Sequence, residues 1–128
     1  MSDDLDPKGL EIRKAVLGEE YVKKALSNVN SFNRPLQELL TEYCWGKVWG
    51  REGLERRERS LINLAMIAVL NRPHELKAHV RGAIRNGLTP QQISEVLLQV
   101  MIYAGAPAAV DSFRVAGEAL SEMGVPLD

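Results

Sequence analysis

Asn71-Arg72-Pro73-His74-Glu75-Leu76-Lys77-Ala78-His79-Val80-Arg81-Gly82-Ala83-Ile84-Arg85-Asn86-Gly87 holds both histidines of the chain and reads as one helix. Pro73 suits the first helical turn, where a missing N–H leaves nothing unpaired, and Gly87 suits the left-handed residue just past the end. At about 100° per residue, Leu76, Val80, Ala83, Ile84 and Gly87 gather on one side, the expected core face. His74, Lys77, Arg81 and Arg85 gather opposite, where they are expected to face solvent. A third stripe, Arg72, Glu75, His79, Gly82 and Asn86, runs along the border of the apolar face. His79 is thus expected to be half-buried and within reach of Glu75, four residues earlier. Partial burial and a neighbouring carboxylate pull an imidazole pKa in opposite directions, so such a place can tune a titratable group. The same spacing also describes an ordinary Glu–His pair.

Working outward, the neighbouring segments repeat the helical pattern. Upstream, Leu61-Ile62-Asn63-Leu64-Ala65-Met66-Ile67-Ala68-Val69-Leu70 follows the charged run Glu55 to Ser60 and is apolar all round. A helix of that kind must be covered on every side, which in a small domain points to a second subunit and hence a homo-oligomer. Downstream, Thr89-Pro90-Gln91-Gln92 carries the N-cap, first-turn proline and reciprocal glutamine of a capping box, with Ile93, Val96, Leu97, Val100, Met101 and Ala104 as the buried stripe. Tyr103 to Pro107 breaks the pattern before a last helix through Val110, Phe113, Ala116 and Leu120. At the other end, Asp6-Pro7 opens a short helix ending near Gly18, and Glu19-Glu20 opens a brief second one. From Pro35 the residues Leu36, Leu39, Leu40, Tyr43, Cys44 and Val48 predict a long helix with those side chains inward, and Trp45 and Trp49 share one face of it. No stretch alternates with period two, so the fold class is all-α, a helical bundle of about six to seven helices.

The 128 residues suit one domain, 1–128. A net charge of −1 gives no field favouring nucleic acid or an anionic membrane. Cys44 is the only cysteine, which excludes an internal disulfide and every two-cysteine zinc or redox motif and suggests a reducing cytoplasm. The acidic start Met1-Ser2-Asp3-Asp4 lacks the apolar stretch of a signal peptide, and the longest apolar run is about half a bilayer span, so no membrane role is expected. Phosphate loops, zinc spacings and a nucleophile elbow are all missing from the sequence, so no metal or cofactor is expected. The remaining chemical tools are His, Glu, Arg, Asn and Trp.

Tyr43-Cys44-Trp45-Gly46-Lys47-Val48-Trp49-Gly50-Arg51-Glu52-Gly53-Leu54, Arg57-x-Arg59-Ser60-Leu61, Asn71-Arg72-x-x-Glu75-Leu76-x-x-His79-x-Arg81-x-Ala83-x-x-Asn86-Gly87-Leu88-Thr89 and Tyr103-Ala104-Gly105-Ala106-Pro107 together resemble the 4-carboxymuconolactone decarboxylase family. The likeness runs from about Ile12 to Met123. The wider superfamily includes the alkyl hydroperoxidase D proteins, in which two cysteines, three apart, precede the helix histidine. Here Arg72 and Glu75 occupy those positions, so dithiol peroxide reduction is excluded. The resemblance implies an alkyl hydroperoxidase D-like helical fold, a ring-like homo-oligomer, often a hexamer, and no cofactor. It implies loss of carbon dioxide from 4-carboxymuconolactone, a small dicarboxylate lactone of protocatechuate degradation, to give 3-oxoadipate enol-lactone. On that resemblance His79 is the proton donor, or the donor to the oxyanion, and Glu75 orients and charges it or is itself the acid. Arg72 and Arg51 are the expected carboxylate ligands, with Asn86 beside them and Trp45 and Trp49 as an apolar wall. The alternatives are an enzyme acting on another small carboxylated lactone, an isomerase using the same acid–base pair, or a helical binding subunit that has lost its site.

Overall fold

The computed structural model describes residues 4–128, and its chain divides into two compact units, residues 1–55 and 56–128. In the first unit, α1 (Pro7–Leu17) begins where the Asp6 carboxylate accepts the Gly9 N–H at 2.8 Å. It ends at Gly18, whose φ of 93° only glycine adopts freely, and the chain turns directly into α2 (Glu19–Ser27). The inner face of α1 carries Ile12, Val16 and Leu17, with Leu10 on the flank.

Short α3 (Arg34–Leu39) continues into a π-helical segment, Leu40–Val48, and this is where the expected single long helix fails. Trp49 N–H bonds Cys44 C=O at 2.9 Å, a five-residue step. Such a segment turns less per residue than an α-helix, so the face that points inward is not the one a 3.6 period selects. Leu36, Leu39, Tyr43 and Val48, expected inside, are exposed, while Thr41, Trp45 and Trp49 are buried. Two features hold the wide turn. Thr41 Oγ1 donates back to Gln37 C=O at 2.7 Å, a bond that bends helices. Also, α1 packs on the π-helical segment so closely that a Cβ on Gly9 would lie 1.8 Å from the Thr41 carbonyl oxygen.

The second unit is built from α4 (Arg56–Leu70), α5 (Pro73–Arg85), α6 (Pro90–Ala104) and α7 (Ala106–Glu122). Its core joins Leu64 and Ala68 of α4, Leu76, Val80 and Ala83 of α5, Ile93, Leu97 and Val100 of α6, and Val115, Ala116, Ala119 and Leu120 of α7. The punctuation falls where the sequence puts it. Pro73 stands in the first turn of α5 and Gly87 follows it at φ 97°, while Thr89 and Gln92 form the reciprocal capping box of α6. Gly105 at φ 101° separates α6 from α7. Between α4 and α5, Asn71 takes the left-handed conformation at φ 56°, a role that asparagine tolerates better than most residues.

One expectation changes here. The side of α5 assigned to solvent is in part an interface with α7. Lys77 Nζ lies 3.1 Å from Glu122 and 3.4 Å from Glu118, and Arg81 Nη2 lies 2.9 Å from Glu122. The Glu122 hydrogen bond raises the Lys77 pKa and lowers that of Glu122 in turn. Helix α4, as its all-round apolar sequence implies, is not enclosed by the described residues. Its buried stripe is Ser60, Leu64 and Ala68, and Ile62, Met66, Val69 and Leu70 are exposed. No helix among the described residues is long and apolar enough to cross a membrane.

Candidate active site

His79 sits on α5 where the border stripe predicts, half-buried, with its Nδ1 shielded from solvent. Burial pushes its pKa down to about 4, against the smaller opposing pull of the Glu75 carboxylate. The Glu75 carboxylate thus acts in the expected direction, toward the charged ring, and is outweighed by desolvation. Glu75 is exposed, so water screens its field, while desolvation of the imidazole acts in full. At neutral pH the ring is neutral and offers one N–H donor and one acceptor nitrogen.

The other stripe residues fare differently. Asn86 is the cap residue at the end of α5, and its side-chain amide donates to Ser60 Oγ at 2.8 Å and to Arg56 C=O at 3.5 Å. Ser60 is buried at the start of the inner face of α4, so Asn86 ties the end of one helix to the beginning of its antiparallel neighbour. Arg72 is exposed at the head of α5, with Nη1 folded onto the carbonyls of Leu70 at 3.2 Å and Asn71 at 3.4 Å. It lines a cavity of about 180 Å³ at the junction of α4, α5 and α7, a wall it shares with Ser112 and Arg114. His74 is exposed, as expected.

The tryptophans and Arg51 belong to the first unit. Trp45 and Trp49 stack with ring centroids 4.9 Å apart at 25° and are only 4 % and 6 % exposed, so the rings serve as core of that unit, the commoner use of aromatics at this spacing. Arg51 is exposed beyond the π-helical segment. Beneath it in chain order, Arg13 is buried with Nη1 donating to Gln37 Oε1 at 2.8 Å, and burial lowers its pKa. Burial likewise raises the Cys44 thiol, with Arg13 opposing, which makes the thiolate scarce.

A larger cavity of about 430 Å³ lies between α6 and α7, walled by Ile93, Leu97, Phe113 and Leu120. It carries no titratable side chain, so it offers room without chemistry. Among the described residues no three His, Cys, Asp or Glu side chains converge as metal ligands.

The sequence reading missed Arg114, Ser112 and the Ser60–Asn86 bond. Arg114 looks like one of many surface cations, and only the packing of α7 against α5 places it across a cavity from Arg72.

Residues 34–118, which include every one of these positions except Arg13 and Leu120, match the profile of the carboxymuconolactone decarboxylase family. The chain belongs to that family. It is 39 % identical over 117 residues to 4-carboxymuconolactone decarboxylase of Acinetobacter baylyi, an alignment covering 91 % of this chain and 87 % of that protein. It is 44 % identical over 115 residues to the nitrosuccinic acid decarboxylase npaB of Metarhizium robertsii, covering 90 % of this chain and 80 % of that protein. The matched span covers the π-helical segment, His79 and Arg72.

Proposed function

We propose that this protein decarboxylates 4-carboxymuconolactone to 3-oxoadipate enol-lactone without a cofactor. The observation that carries the reading is near-full-length similarity to decarboxylases, at 39 % and 44 % identity over nine-tenths of the chain. The chemistry suits the residues. The departing carboxylate sits on the ring carbon that adjoins a double bond conjugated with the lactone carbonyl, so the electron pair released with carbon dioxide flows into that carbonyl as a dienolate. The protein has to bind a dianion, stabilise the developing oxyanion and allow one proton to reach carbon.

His79 is assigned to the oxyanion. A neutral imidazole held in a desolvated place donates its N–H without a competing water, and a dianion bound beside it raises its pKa again, so that protonation can follow decarboxylation. Glu75 orients the imidazole, and Arg72 holds a carboxylate through its guanidinium fork. Trp45 and Trp49 act by shaping the first unit, and Asn86 by fixing the end of α5 against α4. The exposed apolar residues Ile62, Met66, Val69 and Leu70 on α4 support a homo-oligomer, with a hexamer implied by family resemblance. The lone, buried-shifted Cys44 fits a reducing cytoplasm.

The npaB similarity favours a second reading by its higher identity. In 2-nitrosuccinate the nitro group is the electron sink: loss of carbon dioxide from the nitro-bearing carbon leaves a nitronate, which takes one proton. The two readings share a dicarboxylate, a developing oxyanion and no external electron acceptor. Incubating the protein with each substrate in excess chelator and following carbon dioxide separates them. Turnover of the lactone well above that of nitrosuccinate supports the first reading, the reverse order supports the second, and release from neither overturns both.

A further inference from the structure

The cavity at the head of α5 has the composition of an anion site that retains an apolar floor. Arg72 is held there by its own neighbourhood. Nη1 spans the carbonyls of Leu70, the last residue of α4, and of Asn71 in the turn after it, so the guanidinium is oriented before any ligand arrives. Among the described residues Arg72 has no ion-pair partner, in contrast to Lys77 and Arg81 one and two turns on. Across the cavity Arg114 supplies a second guanidinium. Its partners are Glu118 at 2.9 Å, an exposed i,i+4 pair of small energetic weight, and Asp111 at 4.0 Å. The lining thus carries two cations and one carboxylate, with the Glu118 carboxylate outside it on Arg114. Leu76 and Val115 line the floor, and the first turn of α5 opens onto the cavity at Pro73, adding the positive end of a 13-residue helix. The volume of about 180 Å³ equals about six waters, enough for a short carboxylic acid chain.

We infer that this cavity is a carboxylate-binding site whose two ligands are Arg72 and Arg114. Resting on the decarboxylase reading, the carboxylate it takes is the one that the substrate keeps. Arg72 begins the α5 stripe on which His79 lies seven residues later, a rise of about 10 Å. His79 does not itself line the cavity, so a dicarboxylate anchored at the cavity mouth has to extend along that stripe to reach the imidazole. Anchoring the retained carboxylate here leaves the departing one away from both guanidinia. That separation favours reaction, because a cation clamped on the departing carboxylate would stabilise the ground state. Arg114 is accordingly a substrate-binding residue, and it is one that neither its sequence neighbourhood nor its exposure singles out.

Succinate, a dicarboxylate with no electron sink, serves as the probe. Its binding is followed by heteronuclear NMR shifts or calorimetry on the wild-type protein, on Arg114→Gln, on Arg114→Lys and on Arg72→Gln. Both arginines are exposed at their ends, so the variants fold, which thermal melting verifies. The expected result is saturable succinate binding with shifts at Ser112 and Leu76, weakened about tenfold or more by either glutamine variant and less by Arg114→Lys, which keeps charge but loses the fork. In turnover, Arg114→Gln is expected to raise KM about tenfold with kcat within about threefold, the pattern of lost ground-state binding. Succinate binding that is Arg114-dependent supports the cavity even if the lactone is not turned over, so failure of the decarboxylase reading is seen separately. Succinate affinity unchanged in Arg114→Gln, or no succinate binding to an active wild-type protein, would overturn the inference.

Discussion

Lowering the pH from 7.5 to 4.5 should destabilise the second unit through His79, and the size of the effect follows from its surroundings. The imidazole has a folded-state pKa of about 4 against 6.5 in the unfolded chain. A group whose folded pKa is depressed binds fewer protons when folded. Its burial as a neutral ring is therefore fully tolerated above pH 6.5, and stability is lost as pH falls from there toward 4, below which both states are protonated. Across a shift of that size, the stability contribution at pH 4.5 is about 2 kcal/mol less than at pH 7.5, after a modest discount for the partial exposure of the ring. Carboxylates also titrate in this window, so the informative quantity is a difference between proteins. Urea unfolding of the parent and of His79→Gln at both pH values should show the parent losing about 2 kcal/mol more than the variant. The His79 ring resonances should titrate near pH 4 in the native protein. Parallel losses in the two proteins, or a ring titrating near 6.5, would show that Glu75 and solvent, rather than desolvation, govern this histidine.

Three further outcomes test the packing. Asn86→Ala removes the donor to buried Ser60 Oγ and should lower stability by about 1–2 kcal/mol in chemical denaturation; an unchanged midpoint would mean that the bond carries no weight. Gly9→Ala places a methyl group against the Thr41 carbonyl and should destabilise the first unit by about 3 kcal/mol or abolish its folding, whereas an unchanged melting curve would show that α1 does not approach the π-helical segment so closely. Sedimentation at micromolar concentration should find an oligomer that Met66→Glu dissociates, since Met66 is half exposed on an apolar face of α4; a monomeric parent protein would contradict the homo-oligomer.

The parts of this structure that were legible in the sequence are those governed by short-range stereochemistry. Pro7, Pro73 and Pro90 begin helices, Gly18, Gly87 and Gly105 end them, and Thr89 with Gln92 forms a closed capping box, because each outcome depends on residues within one turn. The half-buried placement of His79 was legible for the same reason, as a matter of helical phase. What the wheel could not supply depends on partners distant in sequence. Lys77 and Arg81 read as solvated until α7 brings Glu122 beside them from 45 and 41 residues away. The helix from Pro35 carries a regular 3.6 period in its leucines, yet its contact with Gly9 and the Thr41 back-bond select a five-residue step that turns those leucines outward. At the candidate site, residue types pointed to Arg72, Glu75 and His79, while the charge state of His79 and the presence of Arg114 come from burial and helix packing.

The most direct test of the central claim compares the two histidines in a decarboxylation assay. Both lie on α5, one half-buried on the border stripe and the other exposed. With 4-carboxymuconolactone as substrate, His79→Gln should lower kcat by about 100-fold or more, the usual contribution of a positioned donor, while His74→Ala stays within about threefold of the parent. A fully active His79→Gln protein, or equal losses at both positions, would contradict the assignment of the reaction to His79.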